Sequence, residues 1–556
     1  MLSFSRPAAR SILMRRLLAA LILMLLSWPA AAKDELVIGI SQFPANFNPL
    51  IESMLAKSYV LAFAQRPITV YDAKWQLVCL LCETLPTLEN GLAKREGKGM
   101  AVTYTLRADA RWADGKPVGS ADVVFAWQVG RHPQSGVASA EAFRRITWID
   151  VKDARTFTVH VDRQTFDYNA FGDLGPLPAH VERARFEPAP GEYRNRTAYD
   201  QDTTNPGLYN GPYRIAQVVQ GSHVVLERNA YWAGAKPAFA RIVIKVIENT
   251  ASLEANLLSG GIDMIAGELG LPLEQTLAFE KRHGGRFSVI TRPSLAYEHI
   301  DLNLGSPVLA DVRVRRALLL ALDRDAMTRQ LFDGREPVAN SMVPQLDWVH
   351  ADDIPKYAFD TAKAAALLDE AGWKPGPGGI RVNARGERLA LDLVTTAGNR
   401  SRELVAQVLQ AQWRKAGVEL KVKTEPPRVL FGETVTRRKF AHMAMFAWYS
   451  APENVPRSTL HSAMIPAAAN NWSGENYSGY ANPAMDALID AVETELDRPR
   501  RKALWREIQA LYAADLPALP LYFKADGFIL PRELKGLEPT GHQDPTPYWV
   551  ENWRWE

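Results

Sequence analysis

Asp311-Val-Arg-Val-Arg-Arg-Ala-Leu318, continued by Leu319-Leu-Ala-Leu-Asp-Arg324, begins with an aspartate and then places Val314, Ala317, Leu318, Ala321 and Leu322 at i, i+3, i+4 spacing. An aspartate accepts hydrogen bonds from the free N–H groups of a helix's first turn, and this spacing gathers the apolar side chains on one face. The stretch therefore predicts a capped amphipathic helix laid on a core. The plan recurs downstream. Asp360 precedes Ala364, Leu367, Leu368 and Ala371, with Gly372 just past the last turn. Residues 401–416 end the same way at Gly417, and a helix within 498–515 carries Leu504, Ile508 and Leu511 on one face.

Strand patterns lie between and before these helices. Leu36-Val-Ile-Gly-Ile40 is an unbroken apolar run, as in a strand covered on both faces. Residues 103–107, 241–247 and 389–395 also read as strands. Asp114-Gly-Lys-Pro117 reads as a tight turn before a helix that begins near Ser120. Helix and strand patterns alternate along the whole chain, which predicts an α/β architecture with mixed sheets. The proline-containing stretch 176–212 is expected to be irregular, and it and 523–531 are expected to be crossings between domains.

A chain of 556 residues holds three or four domains at roughly 150 residues each. Its 47% apolar and 23% charged residues exclude a disordered chain, and 2 cysteines exclude a disulfide framework. The 15 tryptophans suit a large cleft as well as a core. Residues 1–32 are an address. Four arginines and no acid precede or flank the apolar run Leu17–Leu26, Ser27-Trp-Pro29 breaks it, and Ala30-Ala-Ala32 offers small residues for cleavage. Ten apolar residues fall short of the ~20 needed to span a bilayer, so this predicts a cleaved signal peptide with the mature chain starting near Lys33. No cysteine sits at the cleavage site, so no lipid anchor is expected, which points to a periplasm. Setting those arginines aside turns a formal charge of +3 into −1. Such a chain lacks the basic field that nucleic-acid binders use.

Catalytic and metal motifs are missing from the sequence. There is no His-Glu-x-x-His, no Gly-x-Ser-x-Gly and no phosphate-binding glycine loop ending in Gly-Lys-Ser/Thr. No catalytic residue, metal site or cofactor is expected. Cys79-Leu-Leu-Cys82 admits three readings: a structural disulfide, two buried free thiols, or a thiol–disulfide redox pair. The following Glu83-Thr-Leu-Pro-Thr87 reads as a loop rather than the helix a redox motif opens.

Several segments, in order, resemble the family 5 extracellular solute-binding proteins, the oligopeptide and dipeptide receptors of ABC importers. They are Val102–Arg107 with Arg111–Pro117 and Asp122–Phe125; Asn210-Gly-Pro-Tyr-Arg214; Leu226–Trp232; Leu258–Asp263; Asp311–Leu318 with Ala321–Arg324; Ala365–Trp373; and Asp515–Leu521. The resemblance implies a clam-shell in which two α/β lobes are joined by a hinge, with a third, smaller domain. Domain I would comprise 33–72, 205–297 and 525–556, domain II 73–204, and domain III 298–524. It further implies a monomeric periplasmic receptor of a Gram-negative cell that hands peptides to a permease with ATPase subunits behind it. Such a receptor is no enzyme and is not embedded in the membrane. Trp112, Asp114, Trp232, Asp311, Arg313 and Arg316 fit architectural roles.

The same resemblance places ligand contacts at Trp448, Tyr449, Ser450 and Ala451 of the segment Phe446–Ala451, and at Glu52, Ser53 and Met54 of the first lobe. One position departs from it. Where peptide receptors of the family carry an aspartate for the ligand's α-ammonium, this chain has Ala451, followed by Pro452-Glu453-Asn454. Either Glu453 substitutes, or the ligand brings no free amine there, as with a metal chelate, an opine or an oligosaccharide. A secreted polymer hydrolase with a tryptophan-rich cleft is the reading from another class.

Overall fold

Two long strands, Phe287–Leu302 and Ala518–Pro531, run antiparallel through the middle of a ten-stranded sheet. The computed structural model describes residues 33–171 and 174–556. The expected signal peptide, 1–32, lies outside the described residues. Both long strands are rich in the aromatic and β-branched residues that suit a covered pleated surface. On one side they continue through Met264–Ile265, Glu35–Ile40, Arg241–Val246, His223–Arg228 and Tyr213–Val219. On the other they continue through Met443–Tyr449, Ala390–Thr396 and Glu419–Glu425. Glu35–Ile40 is parallel to both its neighbours, as is Ala390–Thr396, while the two long strands pair antiparallel. The sheet is thus mixed, as expected.

The long pair is irregular at two places, a slip after Pro293 and a second between Glu298 and His299, of which the first is the wider. Its register holds from Phe287↔Pro531 to Pro293↔Ala525, slips, and resumes at Tyr297↔Phe523. Ser294 caps the slip by donating to the Lys524 carbonyl at 3.0 Å. A bulge bends and twists a strand pair. Here it separates two bodies with separate apolar cores. One core gathers buried residues from Leu36 to Leu269 and from Phe528 to Trp553. The other runs from Leu273 to Ala525. The molecule is therefore a clam-shell of two lobes whose hinge is a strand pair.

The helices of the second lobe form where their sequence signals lie. Asp311 accepts from the Arg313 N–H at 2.9 Å and starts Val312–Leu320. Asp360 caps Thr361–Glu370 by accepting from Lys363 N–H, and Gly372 follows at φ +86°. Asn399 caps Arg400–Lys415, whose Trp413 is fully buried and donates to the Leu318 carbonyl at 2.8 Å. In Arg498–Asp515 the buried face is Trp505, Ile508 and Tyr512, with Leu504 and Leu511 at its margin.

A four-stranded antiparallel sheet, Ala93–Glu96, Gly99–Thr105, Thr156–Val161 and Ile146–Val151, forms the third, smaller unit, covered by the helix Ser120–Arg131. Trp112 is fully buried there and donates to Asp122 at 3.1 Å, an architectural role. The stretch 176–212 is not irregular. It winds into the helix Ala179–Phe186, the short helix Ala198–Gln201 and 3-10 turns at Pro190–Asn195 and Pro206–Leu208. Pro178, Pro190 and Pro206 sit at or just before first turns, where a missing N–H costs nothing. Residues 523–531 are the far half of a continuous strand, so the crossing is paired backbone, not a loop.

Cys79 and Cys82 are joined in a disulfide. Cys79 ends the short strand Leu77–Cys79, and Cys82 bridges to Leu106. The closed ring is short and removes little entropy from the unfolded chain, so it contributes about 2 kcal/mol. Replacing both cysteines by serine is expected to lower stability by no more than that. Melting curves with and without reductant check it, and collapse of the fold on reduction would contradict it.

Candidate functional site

The lobes and the smaller unit enclose a cavity of about 680 Å³. That lies within the ~300–1,000 Å³ of ordinary small-ligand sites. Glu52, Ser53, Met54, Trp448, Tyr449, Ser450, Ala451 and Glu453 all lie on its wall, so the structure brings every sequence candidate together.

On the first lobe the segment Ile51–Met54 links the strand Glu35–Ile40 to the helix Leu55–Ala64. Glu52 takes the left-handed conformation at φ +59°. Its surroundings hold it there. Asn46 donates to its carboxylate at 2.9 Å, Arg194 pairs with it, and the buried Lys57 ammonium donates to the carbonyls of Asn48, Ile51 and Glu52. Burial pushes Lys57 down to about 8, opposed by the charge of Glu52. Gly432 of the second lobe lies beside this carboxylate, and a Cβ there would meet Glu52 Oε2 and Ala45 Cβ at ordinary contact distances of 3.8 and 3.7 Å. The lobes are closed on each other.

On the second lobe the wall is the strand Met443–Tyr449. Its pairing with Ala390–Thr396 stops at Met445, while its pairing with Phe287–Leu302 continues to Tyr449. From Phe446 to Tyr449 one edge of the strand therefore has no partner strand among the described residues, and all four residues line the cavity. Trp448 is half-buried and stacks on Tyr477, with ring centroids 5.8 Å apart at 22°, and Phe446 meets it edge-on. The Ser450 carbonyl accepts from the Gln543 N–H at 3.0 Å.

Glu453 lines the cavity, but its charge is engaged within the chain. Its carboxylate pairs with Arg501 and accepts from Trp348 Nε1 at 3.0 Å. Burial raises its carboxyl, and the Arg501 guanidinium pulls it back.

The floor contains acids that sequence reasoning missed. Asp526 is 2% exposed and accepts from the Tyr449 hydroxyl through Oδ1. Its Oδ2 has no hydrogen-bond partner among the described residues. Glu268 is 8% exposed, accepts from the Thr546 N–H at 2.9 Å through Oε1, and leaves Oε2 likewise without a partner. Burial pushes Asp526 up to about 7, with the charge of Glu268 adding to it, and burial also raises Glu268. The signal was present in part. Lys524 and Asp526 interrupt the otherwise apolar run Ala518–Pro531. Charges on a covered strand are expensive unless they serve a site.

Behind the hinge Glu336 is 2% exposed and accepts from the Ala525 N–H at 3.2 Å. Burial pushes its carboxyl up to about 8 from 4.5, with Glu274 and Glu298 adding to the shift and Lys524 opposing it. A carboxyl raised in the folded state keeps a proton that the unfolded chain has lost. Stability is then complete below about 4.5 and falls by roughly 1.4 kcal/mol per pH unit until about 8. Glu336→Gln is expected to flatten that fall by one proton's worth, so the variant should gain on the wild type between about pH 5 and 8. Denaturant titrations at both pH values check it; parallel slopes would contradict it.

A two-lobed chain with a hinge of paired strands and a closed, lined cleft is a ligand-binding protein by architecture. The description "Bacterial extracellular solute-binding proteins, family 5 Middle" matches residues 87–465, and the chain belongs to that family. It is 24% identical to the oligopeptide-binding protein AppA of Bacillus subtilis, over 93% of this chain and 91% of AppA. Among solved structures it resembles the oligopeptide-binding protein of Thermus thermophilus complexed with a pentapeptide. The TM-score is 0.87 at 29% identity, covering 94% of this chain and 96% of the other. NikZ of Campylobacter jejuni in complex with Ni(L-His) shares the fold, with a TM-score of 0.81 at 22% identity, over 94% of this chain and 99% of NikZ. Among the described residues no helix is long and apolar enough to cross a membrane.

Proposed function

We propose that this chain is the exported receptor of an ABC importer, that it captures short peptides between its lobes, and that it releases them unchanged to a permease pair with ATPase subunits behind. The open edge of Phe446–Tyr449 on the cavity wall carries this reading. A strand edge offers backbone N–H and C=O groups to any extended peptide, whatever its side chains. The pentapeptide complex of the Thermus relative supports it. In this reading Trp448 packs on the ligand, Tyr449, Ser450 and Ala451 border it, and Glu52, Ser53 and Met54 face it from the first lobe.

The receptor works as a periplasmic monomer without a cofactor, freed from its signal peptide near Lys33. Domain I takes 33–72, 205–297 and 525–556, domain II 73–204 and domain III 298–524. Ligand shifts the population from open to closed lobes, and the closed form is what the permease meets. Mass spectrometry of whatever co-purifies from a native periplasm, released by denaturation, tests the substrate class. A ladder of short peptides is the expected result. A single non-peptide mass would move the receptor to chelates, opines or oligosaccharides, and products of cleavage would make it a hydrolase.

A further inference from the structure

The sequence offered Glu453 as an amine partner, but Arg501 and Trp348 already occupy its carboxylate. A second ligand charge has nothing to gain there. The cavity holds another pair of acids whose hydrogen bonding is incomplete. Among the described residues, Asp526 Oδ2 and Glu268 Oε2 are buried oxygens without a donor, on side chains that line the same cavity. Buried carboxylate oxygens left without donors are costly, and native proteins keep few of them.

The cations of the hinge strands do not answer them: Arg292, opposite Asp526 in the ladder, donates to the Ala73 carbonyl. Lys524 lies 3.9 Å from Glu298, and Glu336 and Glu274 also face that side. The hydroxyl of Ser294 faces Asp526 as well, but it donates to the Lys524 carbonyl. The other halves of the two acids are fixed by their own lobe and by the opposite one. Thr546 holds Glu268 from the first lobe through its N–H, with its hydroxyl beside the same carboxyl, and the hydroxyl of Tyr449, on the second-lobe wall, holds Asp526. The free oxygens are thus held in place by bonds that do not use them.

We propose that Asp526 and Glu268 form the ammonium site of this receptor, taking a ligand's primary amine between Oδ2 and Oε2. The assignment rests on the peptide reading above and deepens it. A –NH3+ group has three donors, enough for both free oxygens and one water. Tyr449, held beside the hinge by its pairing with Ala296, donates to Asp526, so the second-lobe wall contributes to a site whose acids sit on the first lobe and the hinge. Until a ligand arrives, burial favours a retained proton on these carboxyls, which an incoming ammonium displaces.

The test uses the full mature chain, stripped of ligand by unfolding and refolding. The probe is a pool of tri- to pentapeptides built from Gly, Ala, Ser, Leu and Phe, with free amino termini. The same pool N-acetylated, and the N-acetylated pool with one lysine per peptide, complete the set. Calorimetry and native mass spectrometry read affinity. The wild type is expected to bind the free-amine pool and to lose about 30-fold or more on acetylation, the loss typical of one missing partner in a buried charge pair. Asp526→Asn and Glu268→Gln should each lose about as much toward the free-amine pool, while binding the acetylated pool no worse than the wild type. Recovery by added lysine, lost in Asp526→Asn, also supports the site and makes a side chain an acceptable amine source. Both variants keep the hydrogen bond their acid accepts and shed a buried charge, so their Tm should not fall. Wild-type affinity of both variants for the free-amine pool would overturn the assignment, as would indifference of the wild type to acetylation. A wild type that binds neither pool overturns the peptide reading itself, and the ammonium site with it.

Discussion

Arg402→Met is expected to destabilise the protein by about 3–5 kcal/mol, the largest single effect anticipated here. Glu298 has no exposed side-chain surface, and Arg402 holds it with both prongs, Nε to Oε1 at 2.6 Å and Nη2 to Oε2 at 3.0 Å. The remaining Nη1 donates to Thr396 at 2.9 Å. Burial alone would raise the Glu298 carboxyl, but Arg402 and, more weakly, Lys524 bring it below the usual range. Methionine fills similar volume and removes the charge, so the cost is that of a buried carboxylate without its main partner. The sign with pH follows. A carboxyl depressed in the folded state stabilises above its unfolded value and loses that contribution as pH falls through the folded value. Chemical denaturation near neutral pH measures the loss. If Glu298→Gln is added, most of the deficit should return, because replacing both charges is far cheaper than orphaning one. A double variant as weak as Arg402→Met would show that packing, not charge, sets the cost.

Glu493→Gln is expected to weaken ligand binding about tenfold without touching the cavity floor. Glu493 is 4% exposed and receives arginines from the second lobe and from the smaller unit. Arg457 of its own lobe donates to it at 2.6 Å, while Arg163 and Arg145 of the smaller unit approach to 3.5 and 4.0 Å. Its backbone carbonyl also accepts from Phe166 N–H at 3.2 Å. Nearby, Asn471 and Ser473 donate to the carbonyls of Gln134 and Val137. These contacts join surfaces that part when the lobes open. Weakening them lowers the population of the closed form, and apparent affinity falls with that population. A tenfold change corresponds to about 1.4 kcal/mol, within reach of one partly buried charge contact. Small-angle scattering of the ligand-free variant should show a larger radius of gyration than the wild type. Unchanged scattering with weaker binding would place Glu493 in ligand contact instead.

The legible parts of the fold were local. A capping acid followed by an apolar stripe specifies a helix within a short span, so Asp311 and Asp360 announced their helices, and Gly372 and Gly417 their ends. The stretch 176–212 misled because proline signals a break and a first turn alike, and only the residues packed against it separate the two. The segment 523–531 was legible as a crossing between domains, but its pairing was not, since the partners come from 287–302 and 518–531 and no local pattern encodes that register. The wall residues were found through family likeness to Phe446–Ala451 and Ile51–Met54, not through their own chemistry. Asp526 and Glu268 escaped for the opposite reason. Their chemistry is plain once they share a cavity, but a lone acid in an apolar run carries no hint of what it faces. Glu453 shows the converse: a residue of the right type at nearly the right place, claimed by an arginine from the helix Arg498–Asp515.

The hinge strand also orders the chain's birth. Met264–Ile265 has Ile529 as a sheet partner, Arg66 is paired with Glu551, and Phe63 meets the ring of Trp553. Those partners are synthesised after the whole second lobe. The earliest-made lobe thus stays an unfinished sheet, with an apolar edge and a buried arginine awaiting their counterparts, until that lobe has emerged. A chain built this way cannot finish its first lobe before the second has been made.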